Sequence, residues 1–150
     1  MTVFVTVISG VLVFVFGQTI LKLVIDPVNE MKNHIGNVAF SLLQHSNVYG
    51  NAEVLNANDN LSNIKTELRS HASNLLRSTS IIPFYSKTSK LFSLPSEEEV
   101  EKAITSLIAL SNSLVIGNPR HIAEKEREVF ESLKIYLYKD WKTEIITKDE

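Results

Sequence analysis

From Met1 to Leu21 the sequence carries no charged side chain, and Lys22 is the first. Val3, Phe4, Val5, Val7, Ile8, Val11, Leu12, Val13, Phe14, Val15, Phe16, Ile20, Leu21, Leu23, Val24 and Ile25 make this run apolar on every side. Such a segment has to be shielded from water around its whole circumference, by a protein core or by lipid. A helix from Val3 to Ile25 would be roughly 35 Å long at about 1.5 Å per residue, enough to cross a bilayer core with some tilt. A core helix of a soluble protein usually keeps a polar stripe. The run therefore predicts a membrane-spanning helix over residues 1–25. A cleaved signal peptide would bring Lys or Arg ahead of an apolar stretch of about 7–15 residues and a small-residue cleavage site after it. Here Lys22, Asp26 and Pro27 follow instead, so the span reads as uncleaved.

The rest of the 150 residues suffices for one ordinary domain, placed at residues 26–141, with a charged tail at 142–150. Net charge is −2, and setting aside Lys22 leaves −3 for the remainder. That is no basic footprint for nucleic acid. The chain has no cysteine, which excludes disulfides, thiolate nucleophiles and Cys-based zinc sites. Lys22 and Lys32 lie near the C-terminal end of the span and no basic residue precedes it, so the positive-inside rule places the domain on the cytoplasmic side. Asn60-Leu61-Ser62 is a formal glycosylation sequon, relevant only to a domain facing a secretory lumen.

The domain reads as all-α, a four-helix bundle behind the span. Asp26-Pro27 resembles a helix restart, with Asp as N-cap and Pro in the first turn. Whether Pro27 breaks or only kinks the connection is left open. Val28, Met31, Ile35, Val38 and Leu42 then repeat at helical spacing to about Ser46, with Ala39 and Leu43 widening the stripe. Gly50 and the asparagines of residues 47–60 predict a loop, with helix conceivable around Ala52 to Leu55. Leu61, Ile64, Leu68, His71 and Leu75 form a second stripe, flanked by Ala72 and Leu76, ending before Pro83. Ile81 to Leu94 is expected to be irregular, with Phe84, Tyr85 and Phe92 packing across the bundle end. Ser96 and Glu99 make a capping box. Val100, Ala103, Leu107, Leu110 and Leu114 give the third stripe, closed by Gly117. Asn118-Pro119 opens the last helix, whose apolar face is Ile122, Val129, Phe130, Leu133, Tyr136 and Leu137.

No motif names a reaction, and no metal or cofactor is expected. There is no Gly-rich phosphate loop, nucleophile elbow or metalloprotease motif. Glu97, Glu98, Glu99 and Glu101 read as acidic residues favoured at a helix start. His34 and His45, eleven apart, are spaced too widely for a shared metal and read as surface or partly packed. His71 falls within a core stripe and reads as a buried or functional histidine. In the span, Thr6, Gly10 and Gly17 fall near one face, where small residues allow helices to approach closely. Gln18 adds an amide that seeks a partner or a water-filled lumen. These four residues predict self-association.

Ile25-Asp26-Pro27-Val28-Asn29-Glu30, His34-Ile35-Gly36-Asn37-Val38-Ala39, Ile82-Pro83-Phe84-Tyr85 and Leu107-Ile108-Ala109-Leu110-Ser111-Asn112-Ser113-Leu114 resemble a family of small bacterial single-pass membrane proteins. That resemblance implies an N-terminal anchor and a helical domain. In layout the chain is also similar to the HEPN-like membrane accessory proteins of RNA-targeting type VI CRISPR systems. That second resemblance implies an oligomeric pore that aids antiphage defence. HEPN ribonucleases carry Arg-x(4–6)-His. Here His71 precedes Arg77 and His121 precedes Arg127, the reverse order both times. Three functions are therefore carried forward. The first is a non-enzymatic homo-oligomer in the lipid bilayer, the second a tethered module recruiting a cytosolic protein partner, and the third a HEPN-type ribonuclease.

Overall fold

The apolar run and the first amphipathic stripe lie on one uninterrupted helix, α1, Thr2–Gln44. The computed structural model describes residues 2–46, 49, 59–116 and 118–135. Among the described residues four more helices follow: α2 (Asp59–Ile81), α3 (Tyr85–Leu91), α4 (Glu97–Ile116) and α5 (Pro119–Ser132). Among the described residues there is no strand.

The expected restart at Asp26-Pro27 does not occur. Asp26 itself has helical dihedrals, φ −61° and ψ −49°, and its carboxylate lies 3.7 Å from Lys22 Nζ one turn back; the residue at the N-cap position is Ile25, which has no side-chain oxygen to cap with. Pro27 has no N–H to give and its ring crowds the preceding turn. The helix absorbs this by widening into a π-turn over Leu21–Ile25, where the Asp26 N–H reaches back five residues to the Leu21 carbonyl. Asn118 shows the same dipeptide pattern working as expected. Its backbone is extended, and its side-chain oxygen accepts from the His121 N–H at 3.4 Å. The Ser96–Glu99 capping box also closes both ways. The Ser96 N–H donates to Glu99 at 2.6 Å, and the Glu99 N–H donates to Ser96 Oγ at 3.2 Å.

The second half of α1 packs on α2, α2 on α4, and α4 on α5. The stripes meet in one core: Val28, Met31, Val38 and Leu42 from α1, Ile64, Leu68, Ala72 and Leu75 from α2, the whole third stripe from α4, and Ile122, Val129 and Phe130 from α5. Burial of three to five apolar groups per helix contributes on the order of 1.5–3 kcal/mol for each large side chain, and this packing is what holds the helices together. Leu43 and Leu76, expected beside the core, are instead exposed, since each sits one position beyond the face its helix turns inward.

Ile81 to Leu94 is more ordered than its sequence suggests, because it contains α3. Phe84 precedes that helix with φ 50° and ψ 46°, a left-handed conformation. The Phe84 carbonyl accepts from the backbone N–H groups of Lys87 and Thr88, and Thr88 Oγ1 donates to the Pro83 carbonyl at 2.8 Å. Tyr85 is buried, its hydroxyl donating to the Pro95 carbonyl at 2.9 Å. Phe84 does not pack across the end of the helices; it is 83% exposed. The loop expected at residues 47–60, the Gly117 cap, Tyr136, Leu137 and the charged tail lie outside the described residues, apart from Tyr49 and the first two residues of α2.

Candidate functional site: the exposed helix and a histidine-lined seam

Thr2 to Leu23 is exposed at every position, and burial begins only at Val24 and Ile25. This is one helix long and apolar enough to cross a membrane, with none of its apolar window buried in the protein. Two of its hydroxyls are already satisfied within the helix. Thr6 Oγ1 donates to the Thr2 carbonyl at 3.0 Å and Thr19 Oγ1 to the Val15 carbonyl at 2.8 Å. Groups bonded in this way can enter hydrocarbon without leaving a donor unpaired. Gly10 and Gly17 have open space where a Cβ would stand. Nothing among the described residues requires glycine there, although each one weakens a water-exposed helix by about 1 kcal/mol relative to Ala. Gln18 lies on the same exposed segment and carries its one side-chain amide.

A second constellation lies farther along α1, where that helix faces α2. Glu30 pairs with Arg77, and Glu30 Oε1 also lies 3.5 Å from His34 Nε2. Glu67 lies 3.5 Å from His71 Nε2 and 3.2 Å from His45 Nε2. Low numbers on α1 meet high numbers on α2, so the two helices run antiparallel. The seam thus alternates three imidazoles with two carboxylates and one guanidinium. His34 and His71 are mostly enclosed, with side-chain exposures of 16% and 14%, and neither buried Nε2 has a hydrogen bond of good geometry.

The seam shifts the ionisation of its members. Burial pushes the His71 imidazole below its usual range, against the opposing pull of Glu67, and the neighbouring His34 adds to the lowering. The Arg77 guanidinium holds Glu30 below the ordinary carboxylate range. Burial acts to raise Glu67, but its polar contacts with Ser41, His45 and His71 outweigh this and the net shift is downward.

His71 is therefore a half-buried interface residue, paired to a carboxylate one turn away. His121 is remote from it in kind: it is exposed on α5, 3.8 Å from Glu124, and the main packing contact of α5 is with α4. Arg127 pairs with Glu131 at 3.3 Å. Among the described residues, no group of three His, Asp or Glu side chains could hold a metal ion. Glu30 and Glu67 carry no motif in the sequence, and Arg77 stood out there only for its reversed spacing from His71. Glu30–His34 and Glu67–His71 share one i,i+4 spacing on two helices, and that repeated spacing was the available signal.

Comparison of the chain with protein-family models, with curated proteins and with solved structures finds no match.

Proposed function

We propose that this protein is a non-enzymatic membrane protein that self-associates through the first half of α1 and carries its remaining helices on the cytoplasmic side of a bacterial inner membrane. The observation that carries the reading is the abrupt change along one unbroken helix. Fourteen large apolar side chains from Val3 to Leu23 are exposed, whereas from Pro27 onward the same helix enters the core. Leaving so many such groups in water is untenable at about 1.5–3 kcal/mol each, so lipid is the partner that fits. Open space around Gly10 and Gly17 supports close approach of a second copy of this helix. The packed part is read as a four-helix, HEPN-like bundle made by the second half of α1 with α2, α4 and α5. The resemblance in layout extends the proposal to a pore or accessory effector in antiphage defence.

Expression followed by an alkaline carbonate wash of membranes tests the anchor, and ion permeability of the same cells tests the pore. Retention in the pellet is expected; release of the full chain into the wash contradicts the anchor. Permeability indistinguishable from that of cells without the protein contradicts the pore.

A tethered recruiting module is the second reading, favoured by an open groove of about 320 Å³ on α2 and α4, lined by Arg69, Ala72, Ser73, Leu76, Ile104 and Ile108. Leu76 and Ile108 are exposed there. A cytosolic protein that co-purifies with the wild type but not with the Leu76→Asp, Ile108→Asp variant would support recruitment.

A further inference from the structure

The α3 corner presents an apolar face that no other described residue covers. Phe84, Lys87 and Leu91 stand three and four residues apart, along one side of α3 and its entry. With Val24, Thr88 and Phe92 they line one groove of about 260 Å³. Phe84 is 83% exposed and Leu91 is 77% exposed. Val24 is the residue at which α1 passes from fully exposed to partly buried. The groove is therefore continuous with the end of the segment read as a membrane span.

Two features of Phe84 need an explanation beyond the fold. Its left-handed backbone is a conformation in which Gly or Asn is at ease and a bulky aromatic is strained. Its ring gains almost no burial within the chain in return. Lys87 carries a positive charge into the same groove, and among the described residues it makes no ion pair. Lys90, one turn on, borders instead a cleft walled by Glu97, Glu98 and Glu101.

We propose that this corner is a second membrane contact: Phe84 and Leu91 insert at the headgroup boundary beside the end of α1, and Lys87 pairs with the anionic headgroup of an acidic lipid. An apolar pair flanked by a cation is the composition that lies in a membrane interface rather than across it. The contact would fix the tilt of the helical domain against the bilayer, which a single helix with a π-turn at its exit leaves free. This proposal rests on the reading of α1 as a span, and the test separates the two.

The chain has no cysteine, so single-cysteine variants accept one environment-sensitive fluorophore each. The full chain is reconstituted in phosphatidylcholine vesicles containing phosphatidylserine and nitroxide-labelled lipid. Labels at Leu12→Cys, Phe84→Cys, Leu91→Cys and Arg127→Cys are compared, with helix content checked by circular dichroism. Lipid quenching at positions 12, 84 and 91, with none at 127, is the expected result. Lys87→Glu should lower quenching at position 91 with a change of at least about fivefold in the docked population: loss of one lysine near an acidic surface gives that much, and repulsion of the new carboxylate adds to it.

Quenching at position 12 without quenching at 84 and 91 overturns the second contact and leaves the span intact. No quenching at position 12 removes the span, and the corner contact with it. Fluorophore self-quenching between Leu91→Cys chains that ignores the lipid nitroxide assigns the face to a second copy and overturns the lipid contact. Indifference to Lys87→Glu overturns the headgroup pairing.

Discussion

His71 shows how one side chain ties the seam to stability. Its folded pKa lies below the value of a free imidazole because burial disfavours the cation. The unfolded chain therefore binds more protons near neutral pH, so stability falls as pH drops through the ordinary imidazole range. His71→Gln should flatten this loss between about pH 7 and pH 5, read by urea unfolding at the two pH values. The carboxylates act in the other direction and lower down. Glu30, Glu67, Glu99 and Glu128 all titrate below the usual carboxylate value, so the stability they contribute is present above about pH 4.5 and is lost as pH falls through their folded pKa values. Leu107, fully enclosed in the core, gives the plainest packing prediction. Leu107→Ala should destabilise the helical domain by about 2–5 kcal/mol in denaturant titration, whereas Leu43→Ala on the exposed side should change it by less than about 0.5 kcal/mol.

At the scale of elements, the instructive contrast is between two dipeptides of the same kind. Asn118-Pro119 starts a helix and Asp26-Pro27 does not. The difference lies upstream: Leu21 to Ile25 is already helical, so the proline meets a running helix and widens it. Pro27→Ala should let the π-turn relax to regular α-helix, rotating the apolar half of α1 against the domain by roughly 100°, the turn of one helical residue. Pulsed electron paramagnetic resonance distances between labels at Leu12→Cys and Arg127→Cys would register that rotation, and unchanged distances would refute it. The long stripes were legible because three or more turns of burial impose a period on the sequence, as Val100, Ala103, Leu107, Leu110 and Leu114 show. The seven residues of α3 are too few to show a period, and that helix is set by backbone bonds to the Phe84 carbonyl and by the Thr88 hydroxyl's bond to the Pro83 carbonyl. The histidine seam was half legible. Each Glu–His spacing is visible along its own helix, but the crossing pairs Glu30–Arg77 and His45–Glu67 depend on the antiparallel register of α1 and α2, which no single segment encodes.

For the molecule as a whole, α1 joins two unlike halves: an apolar half exposed at every position from Thr2 to Leu23, long enough to cross a membrane, and a half that packs on α2. The proposed self-association runs through the face of Thr6, Gly10 and Gly17, and the cysteine-free chain allows it to be read directly. Single cysteines at Gly10, Gly17, Ile8 and Val15 of the full chain, oxidised within native membranes, sample two opposite faces of the helix. Disulfide-linked dimers are expected at Gly10→Cys and Gly17→Cys, with little at Ile8→Cys and Val15→Cys. Equal cross-linking on both faces, or none at any of the four positions, would contradict it.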